Sequence, residues 1–177
     1  MNSVSMAYAE KTRQSRTPDK RGRSAPDRLA VVAADVADAV NAAGGLIFDR
    51  ASAGWRVAVY LESPGDDRPL RILGADAHPL TDDVRSEPEW PDTLVVAADV
   101  GERNTAARRF IAAACRCQGT DVAVWSEIRA SEATTEIGRV DHRLSAAALA
   151  FKVHAMSAAG LTSHPVSPTE SFRRRER

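Results

Sequence analysis

A chain of 177 residues suits one domain with segments to spare, and 44% hydrophobic content is enough for a buried core. Basic and acidic side chains cancel at 24 each, and two cysteines rule out a disulfide framework. No apolar run approaches the roughly 18–20 residues of a membrane helix, and the polar N-terminus lacks the apolar core of a signal peptide, so a reduced, cytoplasmic protein is expected.

The charges are segregated along the chain. Up to Arg28 the basic residues Lys11, Arg13, Arg16, Lys20, Arg21, Arg23 and Arg28 face only Glu10, Asp19 and Asp27. The chain ends Phe172-Arg173-Arg174-Arg175-Glu176-Arg177, so the middle is acidic. Residues 1–25 and 161–177 read as disordered basic tails around a single domain over 26–160. Such tails suit weak, non-specific, salt-sensitive contact with nucleic acid, although a solvated tail is the commoner case.

Pro26-Asp27 reads as a helix start, with Leu29, Val32, Val36, Val40 and Ala43 as one apolar stripe and Gly44-Gly45 as its stop. Leu46–Phe48 and Trp55–Leu61 read as two strands of a hairpin, and Leu70–Leu73 as a third short strand. Residues 75–91 form a long acidic loop with Pro79, Pro88 and Pro91, a candidate lid.

Leu94–Ala98 is an apolar run, and Ala107, Phe110, Ile111 and Ala114 then repeat at helical spacing. Val122–Trp125 is a second apolar run. Strand, helix and strand at this spacing form a βαβ unit. Asp141 is placed as the cap of a last helix, in which Leu144, Ala148, Phe151 and Ala155 form the core stripe. Leu149, Val153 and Met156 widen it, so self-association or a partner protein is expected through those three residues, with Phe151 kept in the core. The fold class expected is α/β: a mixed sheet of about five strands with about three main helices. Its N-terminal half should be hairpin-like and its C-terminal half βαβ.

The candidate chemistry is sparse. Asp99 follows a strand, where open α/β sheets bind ligands, and the next turn carries Arg103 and Asn104. Ser126 follows the next strand. Yet Val100-Gly101-Glu102-Arg103-Asn104 has one glycine and matches no phosphate-binding loop. Pro91–Gly101, an apolar run between Pro-Asp and Asp-Val, resembles the receiver domain of response regulators. That resemblance implies Asp99 as the phosphorylated position and Ser126 as the switch hydroxyl. Lys152 is the only lysine after Ser126, and no acidic pair follows an early strand to hold magnesium, so a degenerate module is implied.

Cys115 and Cys117 point about 200° apart on a helix and cannot share a metal. No His-x-x-x-His pair and no Gly-x-Ser-x-Gly elbow occurs. No metal or cofactor is therefore expected. With no catalytic constellation, the leading expectation is a non-enzymatic regulatory or protein-interaction module. The alternative is a small-molecule or nucleotide-binding α/β protein, including an enzyme, with its site at Asp99, Arg103, Asn104 and Ser126.

Overall fold

The computed structural model describes residues 25–82, 90–117, 119–126 and 138–174. The first tail thus lies almost wholly outside the described residues, as do residues 83–89 of the acidic loop and most of the 126–138 stretch. Seven strands form one sheet in the order β3-β2-β1-β4-β5-β7-β6. The α/β class and the mixed sheet stand as expected, with seven strands and five helices among the described residues.

β1 is Arg28–Ala33, and it corrects the helix expected there. Leu29–Ala33 is an unbroken buried apolar run, as a central parallel strand requires. α1 (Val36–Ser52) starts only at the Asp35 cap, whose Oδ1 accepts from Asp38 N at 2.9 Å. It runs straight through Gly44-Gly45 and Leu46–Phe48, which are helix rather than a stop and a strand. β2 (Arg56–Leu61) pairs parallel to β1, with Ala30 opposite Ala58 and Val32 opposite Tyr60. The hairpin-like N-terminal half is therefore a second βαβ unit.

α2 (Arg68–Ile72) replaces the third expected strand, and β3 (Asp76–Pro79) pairs parallel to β2 inside the stretch read as a loop. β4 (Thr93–Ala97) returns to the other side of β1, also parallel. α3 (Ala98–Arg103) and α4 (Thr105–Arg116) lead to β5 (Asp121–Trp125), parallel to β4 as the βαβ reading required. The two crossovers run in opposite directions from β1 and β4. A fixed right hand then places α1 and α4 on opposite faces of the sheet.

The antiparallel pairing lies at the C-terminal end. β6 (Arg139–Arg143) and β7 (Thr169–Arg174) pair antiparallel, and β7 also pairs antiparallel to β5. Residues 169–174, read as tail, are thus an inner strand, with Phe172 only 4% exposed. Asp141 belongs to β6, and Ser145 caps α5 (Ala146–Ala158), its Oγ accepting from Ala148 N at 3.0 Å. α5 packs on α1 and α2.

The five parallel strands run 3-2-1-4-5, the order of a doubly wound Rossmann-type sheet. A receiver runs 2-1-3-4-5, so the resemblance of Pro91–Gly101 does not extend to topology. Among the described residues no helix is long and apolar enough to cross a membrane.

Candidate functional site

The strand order reverses between β1 and β4, and their carboxyl ends part to leave a crevice. A cavity of about 310 Å³ lies there. Ala34 and Ala98 leave the space open, and Asp38, Asp99, Glu102, Trp125 and Ser126 line it. Each lining residue follows from the chain path. Asp38 sits in the first turn of α1, directly after β1. Asp99 and Glu102 lie on α3, which begins at the residue after β4. Trp125 ends β5, and Ser126 follows it.

Asp38 is the centre of the arrangement. Its Oδ2 accepts from Ala34 N at 3.0 Å and its Oδ1 from Trp125 Nε1 at 3.2 Å. Burial pushes its carboxyl above the usual carboxylate range. The Ala34 and Trp125 N–H groups pull it part of the way back, and the charges of Asp99 and Asp35 raise it again. A desolvated carboxyl group facing a second carboxylate is the arrangement from which proton-transfer groups are made.

A charged network borders the cavity. Glu62, just after β2, accepts from Arg103 and, at 3.0 Å on Oε1, from Asn104 Nδ2. Arg103 also pairs with Asp99. The Arg103 guanidinium, and then Asn104, hold the Glu62 carboxyl below its usual range, and Glu62 and Asp99 push Arg103 upward. Asn104 Oδ1 meanwhile caps α4, accepting from Ala107 N at 3.1 Å.

Of the four residues expected at this end, Asp99 and Ser126 line the cavity, while Arg103 and Asn104 stand beside it in the Glu62 network. β4 stops at Ala97, so Asp99 sits on the helix rather than at the strand tip. Asp38, Trp125 and Glu62 were not among the candidates. Asp38 was hidden because the β1 run was read as helix, so no strand end was expected before it. An apolar run followed by Asp-x-x-Asp, a strand and then a capped helix, was the signal available.

The last-helix residues are divided. Leu149 is half-buried, Val153 is 50% exposed, and Met156 is buried in the core at 2%. Phe151, expected inside, is 43% exposed and stacks on Phe48 with ring centroids 4.4 Å apart. Cys115 and Cys117 are both free.

No known family's sequence model matches the chain, and no curated protein matches it by sequence. Solved structures do match in fold. A deacetylase in complex with teicoplanin, from the teicoplanin biosynthesis pathway, superposes with a TM-score of 0.59 at 15% identity over 83% of this chain and 97% of that one. N,N'-diacetylchitobiose deacetylase from Pyrococcus horikoshii gives a TM-score of 0.53 at 11% identity, over 84% of both chains. The 4-carboxy-2-hydroxymuconate hydratase of Pseudomonas putida gives 0.54 at 14%, over 84% of this chain and 95% of that one. At these identities the likeness is one of fold.

The comparison corrects the leading expectation of a non-enzymatic regulatory or interaction module. The three structures just named are enzymes, which favours the alternative, a small-molecule-binding protein or enzyme, over that expectation. One further likeness is a zinc-inhibited form of teicoplanin deacetylase, with a TM-score of 0.54 at 16% identity over 73% of this chain and 82% of that one. The described residues here do not fit such an ion. No group of three or more His, Cys, Asp or Glu among them is arranged to hold a metal.

Proposed function

We propose that this chain is an enzyme that adds water to a small polar substrate in the carboxyl-end cavity, with Asp38 as the proton-transferring group. Asp38 carries the reading: it is a desolvated carboxyl at the topological switch point, oriented by Trp125 and Ala34. A carboxylate whose proton affinity is raised is a better base than an exposed one. It takes a proton from water as the water oxygen bonds to an electrophilic carbon, and it returns that proton to the departing or neighbouring atom. Deacetylation and hydration, the activities named for structures of this fold, both add water in this sense.

The acidic lining of Asp38, Asp99 and Glu102 disfavours nucleotides, because phosphate would meet carboxylates instead of free amides. The two free cysteines suit a reducing cytoplasm. The test is a panel of acetylated amines, acetyl esters and unsaturated acids, assayed with the wild type, Asp38→Asn and Asp99→Asn. Loss of turnover by about a hundredfold or more in Asp38→Asn is expected for a general base, with a melting curve to check that the variant still folds. Turnover that survives Asp38→Asn would overturn the assignment.

A further inference from the structure

The carboxyl-end crevice has a charge character that proton transfer at Asp38 does not account for. Among the described residues its lining holds Asp38, Asp99 and Glu102 and no lysine, arginine or histidine. Glu62 stands at the border, and the cation beside it, Arg103, is already engaged by Glu62 and Asp99. Four carboxyl groups thus meet one guanidinium. Protonation of Asp38 still leaves three carboxylates against that one cation, so the crevice is negative in either state of Asp38.

The local arrangement on α3 is unfavourable to the fold by itself. Asp99 and Glu102 are three residues apart on that helix, which puts both carboxylates on one face. Like charges at this spacing repel and weaken a helix. The chain relieves only one of them. Asp99 pairs with Arg103, whereas Glu102 has no hydrogen bond or ion pair with any described residue. Glu102 is exposed and borders the open space. A cation placed between the two carboxylates removes their repulsion.

The chemistry of that cation follows from the lining. Carboxylates accept hydrogen bonds and do not donate them, so the occupant supplies the hydrogens as well as the positive charge. An ammonium group has three N–H donors and no acceptor. A neutral polyol brings donors without the charge, and an anion is repelled. Among the described residues the carboxylates are not arranged to hold a metal ion, which leaves an organic cation. A cleft lined by one sign of charge also concentrates its counter-ion. At about 310 Å³ the cavity is at the small end of ligand pockets, so the ammonium group and the reacting carbon belong to one small molecule.

We propose that the crevice selects substrates that carry an ammonium group, of the class of small monoacylated diamines, with Glu102 and Asp99 holding the cation while Asp38 serves the electrophilic carbon. This inference rests on the reading of the crevice as the site of water addition.

The test compares three acetamides that share one linker and differ in the end group, ammonium, methyl or carboxylate: N-acetyl-1,3-diaminopropane, N-butylacetamide and N-acetyl-4-aminobutyrate. Calorimetric titration of the full chain should show saturable binding of the amine, at least about tenfold tighter than of the neutral amide and weakening as salt is raised. The acid should bind more weakly than either. Glu102→Gln, at an exposed position, should reduce the preference for the amine by about threefold, and Glu102→Lys should reverse the order of amine and acid. Absence of saturable amine binding by the wild type, or equal affinities for the amine and the neutral amide, would overturn the proposal, and so would an unchanged order in a folded Glu102→Lys variant. The wild-type selectivity needs no substitution, so a variant that fails to fold does not rescue it. Binding and turnover separate the two readings. Amine selectivity without hydrolysis of any acetamide overturns the water-adding reading and leaves the ammonium selectivity standing. Hydrolysis of all three with similar kcat/KM does the reverse.

Discussion

Lys152 Nζ lies 2.6 Å from Glu170 Oε1, and both side chains are only 3% exposed. The pair is built into α1. Lys152 Nζ also donates to Asn41 O at 2.7 Å, and Glu170 accepts from Gly45 N at 2.7 Å and Leu46 N at 2.8 Å. In a regular helix the Gly45 N–H would donate to the Asn41 carbonyl; here each end of that link has a side-chain partner. The pair thus ties α5 and β7 to the middle of α1. Lys152→Met leaves Glu170 buried without its cation and should cost about 3–5 kcal/mol. Adding Glu170→Gln should recover part of that loss in a double-mutant cycle read by urea unfolding. Stopping the chain at Gly160 removes Glu170, Phe172 and the strand between β5 and β6, so cooperative melting should disappear. A truncated chain that still melted cooperatively would show that β7 is dispensable.

Gly45 and Gly44 are adjacent but should respond in opposite directions. A Cβ on Gly45 would stand 2.2 Å from Leu144 Cγ, while one on Gly44 would meet Leu73 and Lys152 side-chain carbons at 3.4 Å. Gly45→Ala should cost about 1–3 kcal/mol through overpacking. Gly44→Ala makes ordinary contacts and gains helix propensity, up to about 1 kcal/mol. Thermal melts of the two variants settle the comparison, and equal shifts would contradict this packing.

Asp49 links α1 to the start of α5. Its Oδ1 accepts from Ser145 Oγ at 2.6 Å, and its Oδ2 meets His142 Nε2 at 2.9 Å. Burial tends to raise its pKa, but the Ser145 hydroxyl and N–H, followed by His142, outweigh this and hold it below the usual value. The sign follows: the unfolded chain binds this proton at higher pH than the folded one, so the contribution is present above the unfolded pKa. It is lost as pH falls through the folded pKa. Asp49→Asn should cost about 1–3 kcal/mol at pH 7, and the difference from wild type should shrink below about pH 4. A difference that is constant with pH would mean the carboxylate charge plays no part.

Trp125→Phe keeps an aromatic ring at the end of β5 and removes the donor to Asp38 Oδ1. Loss of a hydrogen bond to the charged form raises a carboxyl pKa further. The Asp38 titration followed by carbonyl NMR should move upward, and the acidic limb of any pH–rate profile should move with it. An unshifted titration would show that the indole does not govern this group.

Phe151 and Val153 test the outer face of α5. Phe151→Ala should cost about 1 kcal/mol, since the ring is 43% exposed and loses mainly its stacking on Phe48. A fully buried aromatic would cost about 3–5 kcal/mol. Val153→Glu, at a position 50% exposed, should leave the melting temperature nearly unchanged. A large loss in either variant would place this face inside an interface.

The βαβ unit from β4 to β5 was legible in the sequence because its signals are local. Two apolar runs flank one amphipathic helix, and each repeats at the period of its own structure. The position of Asp99 and Ser126 near the ends of β4 and β5 was legible for the same reason, and both line the cavity there. The rest depended on tertiary partners. Leu29–Ala33 and Leu46–Phe48 are short apolar runs that suit strand or helix equally. The first is a strand because β2 and β4 flank it, and the second is helix because α5 covers it. Gly44-Gly45 has the composition of a stop, yet helix continues there because Leu144 needs the room beside Gly45 and Glu170 takes up the Gly45 and Leu46 N–H groups. Thr169–Arg174 looks like a basic tail until Glu170 meets Lys152 and Phe172 enters the core. Asp38 becomes a candidate catalytic group only when Trp125, 87 residues away, closes over it. Sequence determined which segments could be apolar, capped or charged. Only tertiary contact decided which of them would be desolvated together, and both the shift in Asp38 and the burial of β7 arise from desolvation.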